Sequence, residues 1–155
     1  MQTFLPVPDF RRSLRVLDPQ RLTKQVLEAA QLLNGNFSNH PAYHAWLPRY
    51  RPALKLYLIE AIAELARQGH SHALISETLP REDLIPEPVH EYPWWFGNPV
   101  YHRSHRTSLI VKDPEHYTPR LGGLLDTPPP HYSLVWPIHH DEYVHDHRSA
   151  QITIT

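Results

Sequence analysis

The sequence of 155 residues contains no cysteine, five glycines and a single methionine. The absence of cysteine excludes disulfide bonds, thiolate catalysis and any cysteine-ligated zinc or iron–sulfur site. With so few glycines, the chain has no phosphate-binding glycine loop and no nucleophile elbow, which argues against nucleotide-dependent enzymes and serine hydrolases. No apolar run approaches the roughly 20 residues of a membrane span, and residues 1–10 lack the features of a signal peptide. We therefore expect a cytoplasmic protein without a membrane association and without a cofactor.

What the sequence does contain is a hydrophobic fraction of 41%, 17 prolines and 13 histidines. The length and the hydrophobic fraction are typical of one folded domain rather than a disordered chain. Because proline, glycine and histidine dominate the end of the sequence, we expect a helical domain over residues 1–120. Residues 121–155 are predicted to form a Pro/His-rich C-terminal extension of ordered coil, without a β-hairpin.

Capping signals and apolar periodicity predict three main helices. The first begins at Asp18-Pro19 and ends near Gly35, the second runs from Pro52 to Gln68, and the third runs from Asn98-Pro99 to about Val111. Shorter helical turns are expected around 10–16, 41–46, 73–79 and after Asp113-Pro114, and residues 80–93 are expected to form a loop. The fold class that follows is all-α.

The charges are segregated along the chain although the net charge is only −1. Residues 1–55 contain eight Lys or Arg against three acids, and residues 102–120 contain four against two, whereas the intervening segment is acidic. Two basic blocks that fold onto one face would suit an anionic ligand such as nucleic acid. The alternative is an ordinary solvated surface.

The first main helix has a polar side opposite its Leu/Val stripe. Five residues fall at helical spacing on that side, and they are Arg21, Lys24, Gln25, Glu28 and Gln31. One carboxylate thus lies among cationic and amide groups. The alternative interpretation is a solvent face with a Lys24–Glu28 contact of a few tenths of a kcal/mol.

Several segments between residues 1 and 120 match motifs of a known family. These segments are Met1–Pro6, Leu17–Glu28, Asn39–Pro41 with Trp46, Phe96 with His102–Arg106, and Lys112–Tyr117. Together they resemble the pyrimidine-dimer DNA glycosylases of the phage endonuclease V type, and more closely the bacterial relatives of that phage enzyme. The resemblance implies an all-α fold, duplex DNA as the partner, and an N-glycosylase that removes damaged or modified pyrimidines, with associated abasic-site lyase activity.

The resemblance also implies a chemistry in which an N-terminal α-amine attacks the sugar C1′ and a helix glutamate supports the reaction. By register, that glutamate falls on Glu28. In the phage enzyme a threonine is exposed by removal of the initiator methionine, whereas the bulk of Gln2 disfavours that removal here. The candidate nucleophiles are therefore the α-amine of Met1 and the side chain of Lys24. An α-amine has a reference pKa of about 7.7–8.0, against about 10.4 for a lysine side chain, so more of it is neutral and nucleophilic at pH 7.

Ten basic residues are candidates for binding the DNA backbone: Arg12, Arg15, Arg21, Lys24, His40, His102, Arg103, His105, Arg106 and Lys112. Within the motif on the third helix, His102, His105 and Arg106 share one face and resemble a phosphate clamp. The alternative is a helix surface with one buried, hydrogen-bonded histidine. Immediately upstream, Trp94, Trp95 and Phe96 are candidates for stacking on an extruded base, or else they fill the core beneath a loop.

The histidine-rich C terminus raises the question of a metal. His139–Glu142 and His145–His147 contain ligand residue types, but they lie in a segment without periodicity, so we predict no metal site there. The simpler interpretation is that this histidine-rich segment is a solvated tail whose charge depends on pH. Two alternatives to a glycosylase remain open at this point: a non-catalytic nucleic-acid-binding module of the same fold, and a metal-dependent, histidine-based hydrolase.

Overall fold

The structure, a computed structural model, describes residues 2–70, 81–124, 134–140 and 142–145. The described residues form six α-helices: α1 (Phe10–Arg15), α2 (Pro19–Leu33), α3 (Pro41–Trp46), α4 (Arg51–Arg67), α5 (Pro99–Lys112) and α6 (Pro114–Leu121). Two strands follow, β1 (Val135–His139) and β2 (Glu142–His145), and short 3-10 turns span Arg81–Leu84 and Gly122–Leu124. None of the described helices combines the length and the apolar character that a bilayer span requires. The mainly helical architecture is as expected, and the helical turn predicted at 73–79 lies outside the described residues.

The capping signals in the sequence are used as caps in the structure. The side chain of Asp18 accepts a hydrogen bond from the Arg21 amide at 3.0 Å, and Asn98 does the same for Val100 at 3.0 Å. At α3 the cap is His40, whose Nδ1 accepts from the Ala42 amide at 3.1 Å. Gly35, after α2, has a φ of +82°, a left-handed conformation that glycine adopts without steric cost.

The prediction of an all-α fold without a hairpin is wrong for the C-terminal region. Strands β1 and β2 pair in an antiparallel hairpin, with Trp136 opposite Val144 and Pro137 opposite Tyr143. Aromatic and β-branched residues favour these strands. Pro137 argues against a strand in the sequence, because proline has no N–H group to donate to a neighbouring strand. Proline is tolerated here because, among the described residues, the sheet consists of two strands, and the register is irregular between Pro137 and His139. The region predicted as a loop, 80–93, contains the 3-10 turn already noted.

The chain divides into two units. The first comprises Met1–Phe4 with Phe10–Pro93, and the second comprises Leu5–Asp9 with Trp94–Thr155. In the first unit α2 packs on α4, and their buried aliphatic side chains form its core. In the second unit α5 packs on α6 and β1 around the buried rings of Trp95, Tyr101 and Tyr117. The first unit therefore contains the helix that carries the polar stripe, and the second contains the histidine-rich helix.

Candidate active site

In the first unit, the N-terminal segment of residues 2–4 lies along α2. Backbone amides of the segment donate hydrogen bonds to side chains of this helix. The Gln2 amide donates to Oε2 of Glu28 at 2.9 Å, and the Phe4 amide donates to Oε1 of Gln25 at 2.7 Å. From Gln2 to Phe4 the hydrogen-bond partner changes from Glu28 to Gln25, which lies about one helical turn nearer the N-terminus of α2. The segment therefore runs antiparallel to α2, with its beginning at Glu28.

Two side chains, one from α3 and one from α4, also form hydrogen bonds with the same segment. The Tyr57 hydroxyl of α4 lies 2.9 Å from the Phe4 carbonyl oxygen and 2.8 Å from Oε1 of Gln25. Its single proton serves one of these two oxygens at a time. The Trp46 indole N–H of α3 donates to the Thr3 hydroxyl at 2.8 Å. Because all of these groups are buried, the hydrogen bonds fix the backbone of residues 2–4.

Gln25 is the residue on which this arrangement depends, since its one carbonyl oxygen faces both Phe4 and Tyr57. We expect Gln25→Leu to lower the free energy of unfolding by about 1–3 kcal/mol, because the buried Phe4 amide loses its acceptor. The measurement is urea denaturation. Gln31→Leu is the matched control on the same helix, and because Gln31 is exposed it should change stability by no more than about 0.5 kcal/mol. Equal stability of the two variants would contradict the role assigned to Gln25.

Glu28 combines partial burial with a defined backbone partner. Its carboxylate is half-buried, and one oxygen receives the amide of the second residue of the chain. Lys24 lies one helical turn earlier and is exposed, whereas Arg21 is half-buried and its Nη1 forms an ion pair with Asp18 at 2.8 Å. A carboxylate in this position can stabilise positive charge on a bound sugar, or accept a proton from an amine. The Met1 amine lies outside the described residues.

The predicted DNA-binding cations are distributed over both units. Among those on the first unit, Arg12, Arg15 and Lys24 are exposed, and His40 is half-buried with its Nδ1 used in the α3 cap. On the second unit, Arg103 and Lys112 are exposed on α5. The exposed residues are thus placed where a phosphate could reach them, and their role in DNA binding stays a prediction.

His102, His105 and Arg106 do share one face of α5, but that face is turned inward. In the second unit, the Leu5 amide donates to Nδ1 of His105 at 2.9 Å, and Nδ1 of His102 lies 2.7 Å from the Leu5 carbonyl oxygen. Arg106 Nη1 donates to the Pro6 carbonyl oxygen at 2.7 Å. With His102 and His105 only 2% and 0% exposed, we revise their role from phosphate contacts to holding the backbone of residues 5 and 6.

These hydrogen bonds require both histidines to be neutral. Nε2 of His102 accepts from the Gly97 amide at 2.8 Å, so its proton is on Nδ1, and His105 must keep a lone pair on Nδ1 to accept from Leu5. Burial lowers the pKa of His102, and it lowers the pKa of His105 well below the usual value. The nearby Arg106 guanidinium lowers the pKa of both rings further.

The lowered pKa values predict a loss of stability in acid. As the pH falls below about 6.5, the unfolded chain binds protons that the folded chain does not, so the free energy of unfolding decreases. Stability is full above that pH and is lost as the pH falls toward the folded pKa values. His105→Asn, which offers an oxygen near the position of Nδ1, should flatten this dependence in denaturation measured from pH 8 to pH 5. Gln31→Asn is the control, because Gln31 is exposed and the replacement removes no ionisable group, so it should leave the pH dependence unchanged. An unchanged slope in His105→Asn would show that the acid sensitivity arises elsewhere.

The three consecutive aromatic residues differ in their surroundings within the second unit. Trp95 is fully buried, and its ring centroid lies 4.3 Å from that of Tyr101, so it fills the core and is not available for stacking on a base. Trp94 is half-buried beside His140 and Tyr143, with ring centroids 5.4 and 5.3 Å away. Phe96, also half-buried, meets the His102 ring edge-on. Of the three predicted stacking residues, only Trp94 and Phe96 retain exposed surface.

No cluster of potential metal ligands is present in the part of the chain that the structure describes. The histidine-rich segment is only partly included, because Asp141 and residues 146–147 lie outside the described residues. Nothing in the described residues therefore favours the metal-dependent hydrolase.

The sequence interpretation identified Glu28 but missed the groups that surround it. Gln2 and Thr3 lie in the matched segment Met1–Pro6 but carry no signal that they contact α2 or α3, and Tyr57 lies in no matched segment. Gln25 does carry a signal in hindsight, because it lies three residues after Leu22 and four before Ala29, in register with the buried stripe. A polar residue at such a position is buried and needs hydrogen-bond partners.

Comparison with known proteins identifies a family for the region of the chain that contains these residues. The family model for pyrimidine dimer DNA glycosylase matches residues 1–85, which include the N-terminal segment, α2 and Glu28. No curated protein and no solved structure gave a match. The matched region covers more than half of the sequence, and it contains the hydrogen-bonded site described above. The chain belongs to the pyrimidine dimer DNA glycosylase family.

Proposed function

We propose that this protein excises damaged pyrimidines, in the first instance pyrimidine dimers, from double-stranded DNA by cleaving the N-glycosidic bond. The observation that carries the proposal is the 2.9 Å hydrogen bond from the Gln2 amide to Glu28. It brings the beginning of the chain to the one carboxylate of α2, and Met1 is attached directly to that Gln2 nitrogen. This is the pairing of an N-terminal amine with a helix glutamate that the family resemblance implies.

In the proposed reaction, the neutral α-amine of Met1 forms a bond to the sugar C1′ while the glycosidic bond breaks. The base leaves with the bonding electron pair and is protonated by solvent. Glu28 stabilises the positive charge that develops on the sugar and takes up the proton that the amine releases. That proton then passes to the sugar ring oxygen as the bond between C1′ and this oxygen opens, which leaves a protonated imine between C1′ and the amine. Abasic-site lyase cleavage can follow when a C2′ proton is removed and the 3′ phosphate leaves with the electron pair of its C–O bond.

Lys24 is the second candidate nucleophile, because it lies one turn before Glu28 on the exposed side of α2. It does not share the backbone hydrogen bonds that fix residues 2–4. Its contribution in this proposal is therefore to bind DNA phosphate together with Arg12 and Arg15, which are also exposed on the first unit.

The experiment that tests the proposal compares an end-labelled duplex that contains one thymine dimer with the same duplex undamaged. We expect alkali-labile sites at the dimer only, and strand breaks without alkali if the lyase step also occurs. Binding of the damaged duplex without any cleavage would instead favour the non-catalytic module of the same fold. Chelator-sensitive cleavage would favour the metal-dependent hydrolase.

A further inference from the structure

The loop between α2 and α3, residues 34–39, presents an aromatic side chain in a strained conformation. Phe37 has a φ of 60° and is 50% exposed. The left-handed region is a genuine outlier for a bulky residue, and an exposure of one half leaves much of the apolar surface of Phe37 unburied. Packing against the described part of the chain therefore accounts for only part of this side chain. Strained residues of this kind cluster at binding and catalytic sites.

The strain is maintained because the loop is fixed at both ends. The Asn36 amide donates to the Gln31 carbonyl at 3.0 Å, and the His40 amide donates to the Phe37 carbonyl at 2.8 Å. At the end of α2, Arg51 Nη1 donates to the Leu33 carbonyl oxygen at 3.1 Å. The loop is thus held by hydrogen bonds within the first unit, and the aromatic ring is held outward before any ligand binds.

The residues around Phe37 suit a polyanion. The other five residues of the loop are all exposed and uncharged: Asn34, Gly35, Asn36, Ser38 and Asn39. Their amides and hydroxyl can donate to phosphate oxygens, and no acidic residue occurs anywhere between Glu28 and Glu60. A negatively charged backbone can therefore approach this loop without meeting a carboxylate from its own stretch of chain.

We propose that Phe37 is an apolar wedge that enters the base stack of duplex DNA and opens the helix beside the lesion. Rigid aromatic side chains that insert between base steps unstack them and allow a base to leave the duplex. The loop is also close enough to Glu28 to act on the same lesion. At ~1.5 Å per helical residue and at most ~3.6 Å per loop residue, Glu28 and Phe37 are separated by no more than about 22 Å. That distance is less than one turn of B-DNA, roughly 34 Å. The inference rests on the proposed function, since it requires duplex DNA as the substrate.

The test uses two replacements of Phe37 that leave the backbone geometry accessible. Asparagine tolerates the left-handed region and is polar, whereas leucine keeps an apolar wedge. The readout is the fluorescence of 2-aminopurine placed next to a thymine dimer, which rises when the base is unstacked. We expect Phe37→Asn to remove most of that rise and to slow single-turnover cleavage by about tenfold to a hundredfold, because the duplex must then be unstacked without the wedge. Phe37→Leu should retain most of both.

A matched control distinguishes the wedge from a general loss of apolar surface. Ile85 is 61% exposed in the first unit and lies outside the loop, so Ile85→Asn should leave fluorescence and cleavage unchanged. Thermal melting of Phe37→Asn should be no lower than that of the parent, because the strain is reduced. If the parent cleaves the dimer and Phe37→Asn gives the same fluorescence rise and the same cleavage rate, the wedge role of Phe37 is wrong. The proposed function would not be affected by that result. A parent that neither binds nor cleaves dimer duplexes would overturn the proposed function itself.

Discussion

Replacing Glu28 by glutamine should lower single-turnover cleavage of a thymine-dimer duplex by about a hundredfold or more. The reason is that the glutamine keeps the shape of the side chain and an oxygen that can accept from the Gln2 amide, but it removes the negative charge. Binding of the same duplex should be at least as tight as that of the parent, because one repulsion with phosphate disappears. The two measurements, cleavage rate and affinity on one oligonucleotide, therefore separate the chemical role from binding.

Glu60→Gln is a matched control for the loss of one carboxylate. Glu60 lies on α4 and pairs with the exposed Arg11 at 3.0 Å, and it has no part in the proposed site. We expect its cleavage rate to equal that of the parent. Undiminished cleavage in Glu28→Gln would remove Glu28 from the mechanism, whatever the result for the control.

The second large effect concerns the amine at the beginning of the chain. In a protein that begins at Met1, adding Gly-Ser in front of Met1 moves the α-amine by up to about 7 Å. Since a displacement of 1 Å in a reacting group can cost about a hundredfold, we expect cleavage to fall by at least that factor. The same dipeptide added after Thr155 should have no effect on the rate.

The extended protein should still bind the dimer duplex, because the basic residues of α1 and α2 are unchanged. If both extended proteins cleave as fast as the parent, the α-amine is not the nucleophile. Lys24→Arg keeps the charge and removes the primary amine, so in that case it would be expected to abolish cleavage. If the α-amine is the nucleophile, Lys24→Arg should lower the cleavage rate slightly or not at all.

Local signals explain why much of the first unit could be predicted from the sequence. The Asp18-Pro19 start of α2 is a short-range signal, and once the helix begins there its register places Glu28 on the polar side. The hydrogen bond between Gln2 and Glu28 could not be derived in the same way, because it joins residues that are 26 positions apart. Only the resemblance to a family suggested that the N terminus and this glutamate act together.

Long-range contacts also explain the main errors. The helical spacing correctly grouped His102, His105 and Arg106, but periodicity does not say whether a polar face is turned to solvent or to the core. That is decided by residues 5 and 6, about 100 positions away, whose backbone groups these side chains satisfy. The hairpin was missed for a related reason, since strand pairing is non-local and Pro137 obscures the strand pattern. Phe37 had no sequence signal at all, because its left-handed backbone is a property of the folded loop.

The most direct test of the central claim is borohydride trapping on a dimer-containing duplex, followed by mass spectrometry of the cross-linked peptide. Borohydride reduces the imine between the amine and C1′ to a stable bond, so the adduct marks the nucleophile. We predict an adduct on the N-terminal peptide, at the α-amine of Met1. Met1 precedes Gln2, whose amide donates a hydrogen bond to Glu28. An adduct on the peptide that contains Lys24, or cleavage of the duplex without any adduct, would contradict the mechanism.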